Sequence, residues 1–201
     1  MSGQMTHFTA LKDHGKGRKC LIVGGGLSVR NIDFEKVTDD FDIIGLNQHG
    51  QPIADIVFYY DLKIRDLFNT YDKAPAPIVI SFRHACEGTK PVFNYYCKYS
   101  THYYLYHDTA HGDIGFRALQ MIDKHFGYSE IYLAGYDYSH DGISYHYEDE
   151  RSPGVDIEMF DAFSVKSILP KYQLLEIRTP IYNCNSESKL TCFPFSGVLD
   201  K

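Results

Sequence analysis

The stretch Lys19-Cys20-Leu21-Ile22-Val23-Gly24-Gly25-Gly26-Leu27-Ser28 constrains this chain more than any other. Its apolar part is continuous rather than alternating, which is the pattern of a parallel strand buried on both faces. Three glycines and a serine follow at once. The strand therefore ends in a tight turn where backbone N–H groups can come close to a partner with no Cβ in the way. Such a turn is either a plain strand-to-helix connection or one wall of a ligand site, and the downstream pattern bears on which.

Downstream, strands and helices alternate. Phe41–Leu46, Ala54–Tyr60, Ile78–Ser81, His102–Tyr106, Glu130–Ala134 and Leu174–Ile177 read as further strands,. Arg30–Val37 reads as a short helix or turn, and Asp61–Tyr71, Asp113–Phe126 and Asp156–Leu169 as helices. In the helix opening at Asp113, the residues Ile114, Ala118, Leu119, Ile122 and Phe126 share one face, and Gly127 is the stop signal,. Pro75 and Pro77 mark a turn before a strand, and Pro170 follows the last helix,. This order predicts an α/β fold: a Rossmann-like three-layer α/β/α arrangement with a mostly parallel sheet. Residues 1–18 read as a loose lead-in and residues 19–201 as a single nucleotide-binding domain.

Composition narrows the function classes. A hydrophobic fraction of 44% with 23% charged residues is ordinary for a globular chain and excludes the disordered and fibrous classes,. There is no Trp, but there are 17 Tyr and 13 Phe, and tyrosine joins a flat apolar body to a polar tip suited to a sugar or a base,. The net charge of −6, with no basic run longer than Lys16-Gly17-Arg18-Lys19, argues against capture of a nucleic-acid backbone,. A small anion held locally stays open. Five scattered cysteines without a Cys-x-x-Cys pair argue against a disulfide framework and a thiolate zinc site,. No apolar run reaches the length of a membrane span, so the expectation is a soluble cytoplasmic protein, with peripheral membrane contact and oligomer formation left open.

The glycine turn is neither of the two commonest phosphate loops. The third glycine of Gly-x-Gly-x-x-Gly would fall at Val29, and the Gly-Lys-Ser/Thr ending of a P-loop is missing,. It gains meaning from Asn47-Gln48, two neutral amides at the carboxyl end of the next strand, where open parallel sheets place their ligand crevice,. Gly135-Tyr136-Asp137-Tyr138-Ser139-His140 emerges at the same edge, followed by Tyr145-His146. Asp137 reads either as a site carboxylate or as a turn cap. His107 and His111, four apart and near Asp108 and Asp113, would suit a metal only on a helix,. Gly112 and the helix start at Asp113 point to a loop instead. No metal site is read there, and Asp113 is expected to be an N-cap with His111 facing the crevice.

Taken together, the glycine block, Asn47-Gln48, Gly127-Tyr-Ser-Glu-Ile-Tyr-Leu-Ala-Gly-Tyr-Asp-Tyr138 and Ile181-Tyr-Asn-Cys-Asn185 resemble the small bacterial sialyltransferases that build host-like lipooligosaccharides. They also resemble the broader MptE-like proteins, which include archaeal hydroxymethylpterin pyrophosphokinases. The likeness runs from about residue 19 to 195. The sialyltransferase resemblance implies a CMP-sugar donor, metal-independent inverting transfer to an acceptor hydroxyl, and no required cofactor. By position it implies that Gly24, Gly25, Gly26 and Ser28 line the donor loop, that Asn47 and Gln48 contact the nucleotide, and that Gly112 and Asp113 form a polar turn opening a helix. It further implies that Gly135 and Asp137 sit beside ribose and base, that Tyr145 holds the phosphate with Ser139 as the nearest second hydroxyl, and that Asn185 belongs to the terminal block of the donor site.

The chain differs from that family at Gly25, where Asn is usual, and at Leu27, where Pro is usual. A short acidic loop also stands where the family has a long lid carrying its general-base histidine. His146, or failing it His140, is the histidine near enough to take that role. The pterin-enzyme resemblance implies a different reaction, Mg²⁺-dependent pyrophosphoryl transfer with acidic ligands such as Asp137. A non-catalytic nucleotide-binding module is the third reading.

Overall fold

The computed structural model describes residues 4–37, 39–50, 53–59, 76–82, 102–106, 113–139 and 164–200. Its centre is an eight-stranded sheet, every pairing of which is parallel. The strands are β1 (Gln4–His7), β2 (Lys19–Val23), β3 (Asp42–Leu46), β4 (Ile56–Tyr59), β5 (Ile78–Phe82), β6 (His102–Tyr106), β7 (Glu130–Ala134) and β8 (Ile181–Asn183). Their order across the sheet is β1-β6-β5-β4-β3-β2-β7-β8. The α-helices among the described residues are α1 (Phe34–Val37), α2 (Ile114–His125) and α3 (Leu169–Gln173).

The continuous apolar runs are explained by burial on both faces. Cys20, Ile22, Ile44, Leu46, Ile56, Phe58, Ile131 and Leu133 face one way into a core shared with Phe116, Leu119, Met121 and Ile122 of α2. Leu21, Val23, Ile43, Val57, Tyr59, Val79 and Tyr132 face the other way, against Val29, Val37 of α1 and Leu199. Truncating such a residue to alanine costs about 2–5 kcal/mol. The expected parallel α/β sheet is thus present. Among the described residues the second face is covered by the short turn Leu27–Asn31, α1 and the chain near Leu199 rather than by a long helix. No helix among the described residues is long and apolar enough to cross a membrane.

The structure differs from the sequence expectation at both ends of the chain. Gln4–His7 is not loose: it pairs in parallel with β6 from Gln4 opposite His102 to His7 opposite Leu105. Residues 13–17 are also tied down, because the end of α2 leaves carbonyls without helical partners. Asp13 donates its amide to the His125 carbonyl at 2.8 Å and Gly15 to the Phe126 carbonyl at 2.8 Å. Gly127, at φ +72, ends α2 as expected.

Leu174–Ile177 forms no strand. Its alternation buries Leu175 and Ile177 partly against the core and leaves Leu174 81% exposed. The following amides of Arg178 and Thr179 are taken by the Asp123 carboxylate at 3.1 and 2.8 Å. The last strand is Ile181–Asn183, which lies in the segment the sequence reading treats as a tail. Pro170 falls in the first turn of α3, directly after the π-helical turn Ser164–Ile168, so helical chain runs through it instead of ending before it. The predicted helix Asp61–Tyr71 and most of Asp156–Leu169 lie outside the described residues.

The order also locates the switch point. From β2 the chain moves through β3 to β6 on one side, then returns to place β7 on the other side of β2. Parallel sheets open their ligand crevice at such a reversal, outside the carboxyl ends of the strands. Here that position is the gap between the glycine turn and Gly135.

Gly135→Ala is expected to destabilise the fold by about 2–4 kcal/mol. Gly135 sits at φ +69, and a Cβ there would lie 2.6 Å from Val29 Cγ2 and 2.8 Å from the Gly24 carbonyl oxygen. Urea unfolding with the slope held equal is the check, and an unchanged midpoint would contradict the packing described.

Candidate functional site

Because the strands are parallel, the loops after β2, β3, β7 and β8 leave the sheet at one edge. Val23 stands opposite both Gly45 and Ala134 in register, so the glycine turn exits between the turn at Asn47 and the loop at Gly135. The glycines of this turn serve chain-to-chain contact. A Cβ on Gly24 would lie 2.7 Å from the Gly135 carbonyl oxygen, and one on Gly26 would collide with the Asp137 carboxyl group. Two backbone bonds lock the loops together: the Gly24 amide donates to the Ala134 carbonyl at 2.8 Å and the Gly26 amide to the Gly135 carbonyl at 2.9 Å. Gly25, between them, is half-buried.

Asp137 is 5% exposed and sits where these loops meet. Its Oδ2 accepts from the Ser28 amide at 2.9 Å, and its Oδ1 accepts from the Ser28 hydroxyl at 2.5 Å and from Asn185 Nδ2 at 2.8 Å. Asn185 is itself fixed: its amide donates to Asn183 Oδ1 at 3.1 Å and its Oδ1 accepts from the Glu187 amide at 2.9 Å. The Lys189 amide donates to the Asp137 carbonyl at 2.9 Å and the Ser188 hydroxyl to the Tyr136 carbonyl at 2.5 Å. Ser28, Asp137 and Asn185, nominated from distant parts of the sequence, are therefore in direct contact. Their contacts make Asp137 the cap and tie of three loops.

Asn47 is a strained residue of the edge. It adopts φ +57, and its amide donates to the Phe58 carbonyl at 2.6 Å. The left-handed region is uncommon for residues other than glycine, although Asn tolerates it better than most. Its Oδ1 is buried and finds no donor among the described residues. Gln48 beside it is half-buried.

Asp113 is the N-cap of α2, as expected, with its Oδ1 accepting from the Phe116 amide at 2.8 Å. The sequence reading missed its other partners. The Tyr138 hydroxyl donates to Asp113 Oδ2 at 2.5 Å, the Tyr172 hydroxyl to Oδ1 at 2.9 Å, and the two hydroxyl oxygens are 2.8 Å apart. Gly115 permits this cluster, since a Cβ there would lie 2.7 Å from the Tyr136 ring. The only signal in the sequence was the density of tyrosine. Ser139 is exposed, and Gly112, Tyr145 and His146 lie outside the described residues, as do His107, His111 and His140.

Burial pushes the phenols of Tyr136, Tyr138 and Tyr172 well above their ordinary value, with the Asp113 charge adding to each. At the opposite edge of the sheet, Arg18 Nη1 pairs with Asp42 Oδ1 at 2.5 Å and the Tyr128 hydroxyl donates to Asp42 Oδ2 at 2.8 Å. Burial raises the Tyr128 phenol there and the Cys20 thiol beside it, which makes Cys20 an unreactive core residue,. A shallow cleft of 170 Å³ lies between α3 and Lys189–Cys192, lined by none of the residues nominated from the sequence. No group of three metal-ligating side chains occurs among the described residues.

Compared with known proteins, the chain matches no family model, no curated protein and no solved structure.

The raised phenols set an alkaline limit on stability. The unfolded phenols release their protons near the ordinary value of 10.0 while the folded ones keep theirs. Above that pH the unfolded state binds fewer protons, so stability is full below about pH 10 and falls as pH rises further. Ultraviolet titration of tyrosinate should show a second phase that coincides with loss of the fold by circular dichroism. One smooth phase complete before unfolding would contradict the burial.

Proposed function

We propose that this chain binds a nucleotide at the carboxyl edge of its sheet and uses a nucleotide-activated sugar, a CMP-sugar by preference, for metal-independent transfer to an acceptor hydroxyl. The observation that carries the nucleotide reading is Asn47, a polar residue in left-handed conformation whose buried Oδ1 meets no donor among the described residues, beside the switch point. Strain and an unsatisfied polar atom together are features that functional sites keep and plain turns shed. The choice of a CMP-sugar rests on the sialyltransferase resemblance of the motifs.

Within this reading Gly25, Asn47 and Gln48 face the nucleotide, with Gly24, Gly26 and Gly135 making the loops fit. Asp137, whose oxygens are engaged by Ser28 and Asn185, organises the site rather than reacting. The alternative, Mg²⁺-dependent pyrophosphoryl transfer with acidic ligands such as Asp137, would draw on a carboxylate that Ser28 and Asn185 already engage. His146 is the proposed base: it takes the acceptor's proton as the hydroxyl oxygen bonds to the anomeric carbon and the bond from that carbon to the phosphate oxygen breaks. Tyr145 and Ser139 are proposed to hold the departing phosphate.

Thermal shift with CMP, CDP, UDP, GDP and ATP, with and without Mg²⁺, tests this. CMP at a hundred times its Kd should add about 2.7 kcal/mol, or roughly 5–10 °C in Tm, without Mg²⁺. Stabilisation by ATP only with Mg²⁺ would favour pyrophosphoryl transfer, and no response to any nucleotide would remove both enzymatic readings. Asn47→Gly keeps the backbone conformation while deleting the amide, so the fold should hold and the CMP response should fall. His146→Ala should abolish sugar transfer and leave CMP binding intact; retained transfer removes His146 as the base.

A further inference from the structure

The Asp113 carboxylate is used up inside the protein by the Phe116 amide and the hydroxyls of Tyr138 and Tyr172. Its two phenolic partners bring two protons to three oxygen–oxygen contacts,. Tyr138 holds φ +49, a backbone conformation that a residue other than glycine keeps only where its surroundings impose it,. The hydroxyl contacts impose it from one end of the side chain. The rings of Tyr136 and Tyr172, with centroids 6.4 and 5.8 Å away, confine the side chain along its length. The residue before Tyr138 is Asp137, whose carboxylate fixes the Ser28 amide and hydroxyl.

We propose that Asp113, Tyr138 and Tyr172 are positioning residues, which hold Tyr138 in its left-handed conformation and thereby aim Asp137 at Ser28 and keep the glycine turn in place. Asp113 acts in this as an acceptor of hydrogen bonds, not as a charge presented to a ligand. Its service to nucleotide binding rests on the reading given above, whereas the joint itself is tested without any nucleotide.

Amide hydrogen exchange on the full chain reads the joint directly. Tyr138→Phe deletes one hydroxyl and keeps the ring, so exchange at the Ser28 and Lys189 amides should quicken about tenfold or more, while Ile22 and Leu133 in the sheet stay protected. Asp113→Ala should loosen the same two amides and also the Phe116 amide. Asp113→Asn should keep Ser28 protected. Its side-chain oxygen retains Phe116 and Tyr172, its NH₂ donates to the Tyr138 oxygen, and the Tyr138 proton turns to Tyr172, closing the ring of donors.

Loosening of Ser28 by Asp113→Asn equal to that by Asp113→Ala would overturn the proposal, as would unchanged Ser28 exchange in Tyr138→Phe. If Asp113→Ala does not fold, the shape-preserving Tyr138→Phe and Asp113→Asn decide the matter. In a parallel titration Tyr138→Phe should weaken CMP binding about tenfold, in line with loss of a hydrogen bond to a charged group. If the unaltered chain binds no CMP, the nucleotide reading falls and the exchange result still decides the joint.

Discussion

Three donors converge on one buried carboxylate at the carboxyl edge of the sheet, and the arrangement of the neighbouring loops follows from that convergence. Asp137 holds the Ser28 amide, the Ser28 hydroxyl and the Asn185 side-chain NH₂, so the segments after β2, β7 and β8 are fixed relative to one another. A buried carboxylate is tolerated only when its lone pairs are met, and each of these bonds is charge-assisted. The geometry in turn requires small residues. Gly24, Gly26 and Gly135 have no room for a Cβ because the opposing loop stands in its place. The glycine turn is thus a piece of loop packing first, and any role toward a ligand is built on that packing.

The same logic of meeting buried polar groups shapes the rest of the molecule. At the amino edge of the sheet Asp42 is satisfied by Arg18 and Tyr128. The final carbonyls of α2 are satisfied by amides from residues 13 and 15, which converts polar lead-in sequence into ordered chain. At the head of α2 the Asp113 carboxylate meets one amide and two phenols. Asn47 Oδ1 and the Tyr136 hydroxyl are buried without a partner among the described residues. Both follow carboxyl ends of strands, and of the two it is Asn47 that also holds a left-handed backbone, at φ +57.

The sheet was legible in the sequence because burial on both faces leaves continuous apolar runs such as Leu21–Val23 and Ile43–Leu46. The helix from Ile114 was legible through its apolar spacing, its Asp113 cap and its Gly127 stop. Gln4–His7 was not, since four residues of mixed polarity at a sheet edge carry no periodic signal. Leu174–Ile177 was misread because alternation records burial and not pairing; the Asp123 carboxylate takes the amides that follow. At the site, the meeting of Ser28 and Asp137 could be anticipated from their places after parallel strands, whereas Asn185 was marked only by the resemblance of its block, because the strand before it, Ile181–Asn183, reads as tail. The Asp113–Tyr138–Tyr172 cluster could not, because nothing local distinguishes these two of the 17 tyrosines.

The central claim is that the carboxyl edge beside the Asp137 tie receives a nucleotide. Backbone amide shift mapping by NMR during a CMP titration without Mg²⁺ tests it most directly. The account predicts saturable shifts centred on Gly25, Ser28, Asn47 and Gln48, with the amino-edge residues Arg18, Asp42 and Tyr128 unmoved. Saturable shifts confined to the amino edge, or no shift at the four carboxyl-edge residues at saturating CMP, would contradict it.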